Sequence, residues 1–414
     1  MRQKQLNFVV LLVVVISVLC SAAGCASVQA KNLMDGIVAE NVKKKENMDD
    51  CNAAVTDFAL RVFKESIKAD ENTLVSPLSV LCAISMTANG ADGETLKQME
   101  KVLGMSVSEL NLYIYSYMEG LPMAEKYKLK SANSIWFTDA ARFTVNHDFL
   151  QTNADYYGAD IYKAPFNDAT LKDINNWVSL KTDEMINDIL DEIPDDAVMY
   201  LVNALAFEAE WNDIYLKRQV NVGIFTAEDK SKKKVEFMHS MENIYLEDEN
   251  ATGFMKYYKD RKYAFVALLP NEEVSISDYL STMTGEKLAH MLENYDYATV
   301  STAIPKFETE YSIELSDILK NMGMQDAFDM DKADFTKLGK SAAGNIYINR
   351  VLHKTFITVG EKGTKAGAAT VVEMADGALE SNPKEIRLDR PFIYMIIDCE
   401  NNIPFFMGTI KNFD

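Results

Sequence analysis

The stretch GEKGTKAGAATVV, at Gly360–Val372, begins like a glycine-rich phosphate loop and ends like a β-strand. It lacks the Gly-Lys-Ser/Thr triplet at the spacing that a Walker loop requires, so no nucleotide site is predicted. Its glycines keep the backbone mobile. If the stretch formed a strand with Thr364 facing inward, alternate residues would face the same side. No residue of that inward set is charged, and all but the last are small: Thr364, Ala366, Ala368, Thr370 and Val372. The stretch therefore indicates either a flexible surface loop of small residues or a strand.

The first residues have the pattern of an export signal. Arg2 and Lys4 precede an apolar run from Phe8 to Leu19, and small residues follow up to Gly24. This order is typical of a secretory signal peptide. The apolar run is shorter than the roughly 20 residues of a membrane span. We therefore expect residues 1–24 to be a signal peptide and the protein to be exported to the cell surface or beyond.

A lipid anchor is expected at the residue after the signal. The segment AAGC ends at Cys25 and resembles a bacterial lipobox, although Ala22 stands where an aliphatic residue is usual. Cys25 would then be the lipidated first residue of the mature protein. The alternative is an ordinary signal peptide with an incidental cysteine. Which membrane the lipid would enter stays open.

Composition excludes several partners. Without Arg2 and Lys4 the chain carries 40 basic and 62 acidic side chains, a net charge of −22. Such a surface repels phosphate backbones and anionic lipids. We therefore expect no nucleic-acid partner, and contact with a membrane only through the lipid. Of the five cysteines, Cys20 lies in the signal and Cys25 would be lipidated. The three that remain, Cys51, Cys82 and Cys399, are scattered and do not make a disulfide framework.

Apolar patterning predicts one large α+β domain. Residues 25–50 are polar, which is typical of a flexible, solvated tether. Helical periodicity begins at Val55 and continues in LKQMEKVL and DINNWVSLKTDEMINDIL, whereas YAFVALLP and PFIYMIID are typical of buried strands. Helices and strands do not alternate regularly, which argues against a doubly wound parallel sheet. We expect a single domain over residues 51–414.

Catalytic and metal-binding motifs are absent from the sequence. It contains no H-E-x-x-H, C-x-x-C or G-x-S-x-G. The acidic run FDMDKADF has Ala333 and Asp334 where a calcium loop needs an oxygen ligand and a glycine. Nothing selects any of the four histidines as a catalytic base. The sequence predicts neither an enzyme nor a cofactor or metal site.

A series of blocks in a fixed order resembles the serpin family. The blocks are NTLVSPLSVLCAISMTANGADGETLKQMEKVLG, ANSIWF, INNWVSLKTDEMINDIL, LVNALAFEAEW, ALLPNE, IPKFETEYSIELSDILKNMGMQDAF, ADF, VLHKTFITVGEKGTKAGAAT, LDRPFIYMI and FFMGTI. The resemblance implies three β-sheets, about nine helices and an exposed reactive-centre loop at about 361–387. It also implies a monomer that inhibits serine proteases by a suicide mechanism and ends in a covalent complex with the target.

The resemblance also assigns structural roles to single residues. The expected loop hinge comprises Glu361, Gly363, Thr364, Ala366, Gly367, Ala368 and Ala369. A polar cluster beneath the opening strands is expected at Ser76, Ser79, Asn203 and His353. Lys306 and Glu361 match an ion pair at the top of the opening, and Trp211 matches an aromatic residue there. The sequence departs from the family at Glu208 and Ala209, where Lys-Gly is common, and Gly367 replaces a frequent alanine.

Two counts locate the scissile bond differently. Counting from the hinge residue Glu361 gives Gly377–Ala378, and counting back from the Arg390-Pro391-Phe392 block gives Glu380–Ser381. The first bond suits a protease with a small, shallow pocket, such as an elastase- or subtilisin-like enzyme. The second suits a glutamyl-specific protease. A cysteine-protease target and a non-inhibitory surface binding protein are the remaining alternatives, and the physiological target stays open.

Overall fold

Local capping signals set the helix starts. The side chains of Ser76, Asp92, Ser106, Asn167 and Thr284 each accept a hydrogen bond from a backbone N–H of the first helical turn. In the computed structural model, which describes residues 28–139, 143–194, 197–342, 344–364 and 383–413, nine α-helices form. They are α1 Asp49–Ser66, α2 Pro77–Ala88, α3 Gly93–Leu103, α4 Val107–Met118, α5 His147–Tyr157, α6 Asp168–Lys181, α7 Ile276–Thr282, α8 Gly285–Glu293 and α9 Ser316–Met322. None of the helices in these ranges is long and apolar enough to cross a membrane.

The strands do not alternate regularly with the helices along the chain, and several strands follow one another directly. They are β1 Lys31–Asn32, β2 Thr73–Val75, β3 Tyr127–Thr138, β4 Thr144–Val145, β5 Asp160–Ala164, β6 Met199–Glu210, β7 Val220–Thr226, β8 Lys232–Glu247, β9 Ala251–Tyr257, β10 Tyr263–Pro270, β11 Asp296–Pro305, β12 Phe307–Glu314, β13 Gly339–Lys340, β14 Arg350–Gly360, β15 Gly363–Thr364, β16 Lys384–Arg387, β17 Phe392–Asp398 and β18 Pro404–Ile410. The predicted strands YAFVALLP and PFIYMIID are β10 and β17, and both are buried along their whole length.

Three sheets result. A seven-stranded sheet has the order β1-β5-β3-β6-β15-β14-β12. A nine-stranded sheet has the order β16-β11-β8-β9-β10-β17-β18-β2, with β7 on the free edge of β8, and β13 pairs with β4. The predicted α+β class with three sheets is therefore confirmed, and the helix count agrees for the part of the chain that the structure describes.

The main core lies between the two large sheets and the helices around them. Helix α2 is buried at every position, because its residues are small or apolar on all sides and it passes beneath the seven-stranded sheet. A second, smaller cluster lies on the opposite face of that sheet. It joins Trp177 of α6 and Leu190 to Val202 of β6 and Leu352 of β14. The seven-stranded sheet is therefore covered on both faces around its centre.

The described part of the expected tether is attached to the domain. The sequence predicted a flexible tether over residues 25–50, but residues 31–32 pair with β5, and the backbone N–H groups of Gln29 and Ala30 donate to Asp173 Oδ2. Leu33 and Ile37 pack against the core. The tether prediction therefore needs correction from residue 28 onward. The prediction rested on the polar composition of the whole segment and did not consider its few apolar residues, which make this contact.

Short strands lie near both ends of the expected loop at 361–387. Of the range 361–387, Gly363–Thr364 form β15 and Lys384–Arg387 form β16, which pairs in parallel with β11 around the buried Ile386. Residues 365–382 of the loop, the predicted signal peptide at 1–24 and Cys25 lie outside the described residues.

Candidate functional site

Strands β6 and β14 meet along a line that we call the seam. Arg350–Thr355 of β14 pair in parallel with Tyr200–Leu205 of β6. Above these pairs the two strands diverge, and β15 lies between them, antiparallel to both. Gly363 is opposite Gly360 and Glu210, and Thr364 is opposite Val359 and Ala209. We call this branching point the fork. The sheet is therefore closed below the fork and already contains the start of an additional strand above it.

Gly363 is required by the geometry of the fork. Its φ is +145°, a conformation that residues with a side chain rarely adopt. A Cβ at this position would lie 2.0 Å from the carbonyl oxygen of Ala209 and 2.9 Å from Cα of Glu210. Both contacts are with backbone atoms of a sheet strand, which cannot move aside. Only glycine fits here.

Thr364 faces the interior. Thr364 is fully buried, and its hydroxyl lies 2.6 Å from the hydroxyl of Tyr258. This is the inward side that the sequence analysis considered for Thr364. The ring of Tyr258 stacks on Trp211, with ring centroids 4.3 Å apart. The side chain of Thr364 is therefore buried in the fork beside the stacked rings of Tyr258 and Trp211.

Hydrogen bonds from Trp211 and Tyr215 hold the chain just before β15. Trp211 Nε1 donates to the carbonyl oxygen of Gly360 at 2.8 Å. The backbone N–H of Trp211 donates to the carbonyl of Lys362, and that of Tyr215 donates to the carbonyl of Glu361, each at 2.9 Å. The aromatic residue that the resemblance placed at the opening thus contacts the hinge directly.

The expected ion pair is present and is part of a triad. Lys306 Nζ lies 2.9 Å from Glu361 Oε1 and 2.9 Å from Glu236 Oε2. Burial alone would raise the pKa of Glu361, but the hydrogen bond and charge of Lys306 hold it below its ordinary value. The two carboxylates hold the pKa of Lys306 above its ordinary value. Glu236 was not predicted, because a glutamate in an alternating strand is normally an ordinary solvent-facing residue.

A buried cation beneath the fork was also missed. Lys256 of β9 is 2% exposed, and its Nζ lies 2.8 Å from Glu242 Oε1. The same ammonium is 4.5 Å from the ring centre of Tyr215 and 5.5 Å from that of Trp211. Its burial alone would lower its pKa, but the neighbouring Tyr215 and the carboxylate of Glu242 raise it. Only the apolar residues on both sides of Lys256 in the sequence could have signalled its burial.

The predicted polar cluster is assembled beneath the closed part of the seam. Ser79 Oγ donates to Asn203 Oδ1 at 2.5 Å, and Asn203 Nδ2 donates to the carbonyl of Ser79 at 2.8 Å. The backbone N–H of Ser76 donates to His353 Nε2 at 3.0 Å. Asn203 Nδ2 also donates to Asn133 of β3, a member that the sequence did not identify. The cluster joins β3, β6 and β14 to the start of α2.

The hydrogen bonds of His353 define its protonation state. Because Nε2 accepts from Ser76, the ring proton lies on Nδ1, which donates to Asn203 Oδ1 at 2.9 Å. Complete burial lowers the pKa of His353 to about 3. The ring is therefore neutral and is a structural link between β14 and β6. His353 and Asn203 are also direct partners in the register of the seam.

The two residues that depart from the family pattern are accommodated. Ala209 is buried and paired with Thr364, where its methyl group leaves room for β15. Glu208 lies opposite Lys128 of β3 in the antiparallel register, so its charge has a basic neighbour.

The predicted site residues thus form two groups on one seam. Glu361, Gly363, Thr364, Lys306 and Trp211 surround the fork, and Ser76, Ser79, Asn203 and His353 lie below it. The other predicted hinge residues, Ala366, Gly367, Ala368 and Ala369, and the candidate scissile bonds Gly377–Ala378 and Glu380–Ser381, lie outside the described residues. Within the described ranges no group of three or more His, Cys, Asp or Glu side chains is placed to hold a metal ion.

Known proteins share this architecture. A family model described as serpin (serine protease inhibitor) matches residues 53–413. Serpin B10 of Homo sapiens is 30% identical over 405 residues, covering 88% of this chain and 99% of that protein. Leukocyte elastase inhibitor of Homo sapiens is 29% identical over 387 residues, covering 88% and 100%.

Solved structures agree. The thermophilic serpin tengpin in its native state has a TM-score of 0.91 and 50% identity, covering 93% of this chain and 100% of that chain. The same serpin in its latent state has a TM-score of 0.80 and 49% identity, covering 90% and 100%. With the family match spanning nearly the whole described fold, the chain belongs to the serpin family, whose members are generally serine protease inhibitors rather than enzymes.

Proposed function

We propose that this serpin is an irreversible suicide inhibitor of a serine protease. The observation that carries the proposal is the fork: Gly363–Thr364 already form the first two residues of a strand between β6 and β14. The closed seam below is the path that the rest of the loop would take. A cleaved loop could continue this strand without any change of register.

The covalent step follows ordinary acyl transfer. The serine hydroxyl of the protease attacks the carbonyl carbon of the scissile residue, and the peptide C–N bond breaks. The new amino terminus leaves with a proton, and the loop stays attached to the protease through an ester. If the loop inserts before water attacks, the ester is carried away with the protease. Inhibition therefore depends on insertion being faster than hydrolysis.

The loop sequence suits insertion. Continuing the register from Thr364 turns Ala366, Ala368, Thr370 and Val372 inward and the charged Lys365 and Glu373 outward. About a dozen new ladder hydrogen bonds at about 1 kcal/mol each give on the order of 10 kcal/mol, before apolar burial is added. A strand of about 14 residues at roughly 3.3 Å per residue would displace the protease by more than 40 Å.

The proposed target has a small primary pocket. Gly377–Ala378 is the favoured bond, which suits an elastase- or subtilisin-like enzyme, and Glu380–Ser381 is the alternative for a glutamyl-specific one. A relative with 29% identity is a leukocyte elastase inhibitor, which supports the first choice. The basic residues Lys384 and Arg387 lie in β16, paired with β11, so a trypsin-like cut there would have to unfold a strand.

The test is incubation of the protein with elastase-like, subtilisin-like and glutamyl-specific proteases, followed by SDS gels and mass spectrometry of the released C-terminal peptide. We expect a covalent complex that survives SDS and a peptide beginning at Ala378. The matched control is the same protease with its serine blocked, which should give no complex. If the loop is cleaved at every protease concentration and no complex with the protease forms, inhibition is refuted and a non-inhibitory binding protein is favoured. A complex only with a cysteine protease would refute the target class alone.

Export and lipid anchoring are a separate proposal. We propose that Cys25 carries a lipid and holds the monomeric domain at the cell surface. Val28 packs beside α6, so residues 25–27 would place the lipid within about 10 Å of the domain. Substituting Cys25→Ser should move the protein from the membrane fraction to the medium. Equal membrane binding of both forms would contradict the anchor.

A further inference from the structure

The segment that follows α6 crosses the outer face of the seven-stranded sheet, over the seam. Asn175 of α6 fixes it: its Oδ1 accepts from the backbone N–H of Ile189 at 2.9 Å and of Leu190 at 3.1 Å, and its Nδ2 donates to the carbonyl of Leu190 at 2.8 Å. Ile189 and Leu190 are buried in the cluster that contains Val202 of β6 and Leu352 of β14. We call residues 182–190 the crossing segment.

The crossing segment belongs to the β6 side of the seam. Helix α6 is tied to β5, because Trp177 Nε1 donates to Asp160 Oδ2 at 2.9 Å and Lys181 Nζ lies 2.6 Å from the same oxygen. Asp183, at the start of the segment, pairs with Lys130 of β3. Strands β5, β3 and β6 are successive neighbours in the sheet. When β14 separates from β6, α6 and the crossing segment stay with β6.

One ion pair joins the crossing segment to the other side. Lys354 of β14 is 11% exposed, and its Nζ lies 2.6 Å from Asp188 Oδ1 of the crossing segment. The same Nζ lies 2.6 Å from Glu310 Oε1 of β12, which pairs with β14. The Lys354–Glu310 pair is thus contained within one side of the seam, whereas the Lys354–Asp188 pair bridges the seam. Burial alone would lower the pKa of Lys354, but these two carboxylates raise it.

The bridging pair lies directly on the insertion path. Thr355–Leu205 is the last closed pair of the seam before the fork, and Lys354–Ala204 is the next one down. If the register of β15 continued, Ala369 would arrive between Lys354 and Ala204. Insertion therefore has to separate Lys354 from Asp188 after only five more residues have entered.

We propose that Lys354 is a positioning residue that, through Asp188, restrains the seam and sets the rate at which a strand can enter it. This inference rests on the proposed insertion mechanism but concerns its rate alone. Glu310 provides a built-in control, because it binds the same ammonium at the same distance and has a similar exposed side-chain fraction, 57% against 63% for Asp188. Removing Asp188 releases the seam, whereas removing Glu310 leaves the bridge intact.

The experiment uses the full protein and a fluorescent synthetic peptide, TKAGAATVVEMAD, which corresponds to residues 364–376. The rate of peptide uptake into the sheet is measured for the wild type, Asp188→Asn, Glu310→Gln and Asp183→Asn. A partly exposed ion pair corresponds to about a three- to five-fold change in rate. We expect that acceleration for Asp188→Asn alone, and an unchanged or slower rate for Glu310→Gln. Added salt at 0.5 M should accelerate the wild type and remove its difference from Asp188→Asn.

The outcomes separate this inference from the proposed function. If Asp188→Asn and the wild type take up peptide at the same rate, or if Glu310→Gln accelerates equally, the restraint is refuted while insertion stands. Acceleration by Asp188→Asn without any SDS-stable protease complex would refute the inhibitory function and leave the restraint standing. If no variant takes up the peptide, both are wrong.

Discussion

Replacement of Thr364 by arginine should convert the protein from an inhibitor into a substrate. Thr364 is fully buried between β6 and β14, with its hydroxyl 2.6 Å from that of Tyr258. A guanidinium in this place would be a buried charge without a carboxylate introduced to match it, at a cost of about 3–5 kcal/mol. Residue 364 would therefore leave the fork in the uncleaved protein, and insertion would have to bury the charge; at 1.4 kcal/mol for each factor of ten, insertion would slow by roughly 10²- to 4 × 10³-fold. The rate of acyl-enzyme hydrolysis would be unchanged, so hydrolysis would become faster than insertion and would release the protease.

The assay is a titration of protease with Thr364→Arg, followed by SDS gels. We expect the loop to be cut, the protease to regain full activity and the SDS-stable complex to disappear. Thr364→Ser is the matched control, because it retains the hydroxyl and a small volume, and it should inhibit like the wild type. Complex formation by Thr364→Arg in the same yield as the wild type would refute the claim that Thr364 must be buried during inhibition.

Further substitutions test single contacts at the fork and in the polar cluster. Gly363→Ala should destabilise the fork by about 1–3 kcal/mol, because its Cβ would meet the carbonyl oxygen of Ala209 at 2.0 Å; equal urea unfolding of both forms would contradict this. His353 is neutral in the fold with a pKa of about 3 and takes a proton near pH 6.5 when unfolded, so stability is lost as pH falls. Between pH 6 and pH 4 the wild type should lose about 2 kcal/mol more unfolding free energy than His353→Gln, and parallel pH curves would refute the assignment. Tyr258→Phe removes the hydroxyl that contacts Thr364 and should lower the free energy of unfolding by about 1 kcal/mol in thermal or urea unfolding. Because the two hydroxyls interact, Tyr258→Phe combined with Thr364→Val should not give the sum of the two single effects, and full additivity would contradict the contact.

The parts of the site that follow from local rules were predictable. The phase with Thr364 facing inward leaves the charged residues of the small-residue stretch outside, and Thr364 is buried at the fork as that phase requires. Resemblance located His353 and Asn203, which lie in direct register across the seam. Such features depend on strand periodicity or on residue identity within an ordered block, and both are present in a single sequence.

Contacts between distant segments were not predictable in this way. Asn133 joins the polar cluster only because β3 lies beside β6, and Lys256 is buried only because β9 passes beneath Trp211. The polar composition of residues 25–50 indicated a tether, although pairing of residues 31–32 with β5 and a few apolar contacts are enough to attach the part from residue 28 onward. The Lys354–Asp188 pair likewise depends on where the crossing segment lies, which no periodicity encodes.

The thermal midpoint before and after cleavage of the loop tests the central claim most directly. If the cleaved loop inserts as a strand along the seam, about 10 kcal/mol of added hydrogen bonding should raise the midpoint by about 12 °C, and apolar burial should add to this rise. Under the same conditions Thr364→Arg should show a much smaller rise after an identical cut. A cleaved wild-type protein that unfolds at the same temperature as the intact one would contradict insertion, and with it the proposed mechanism.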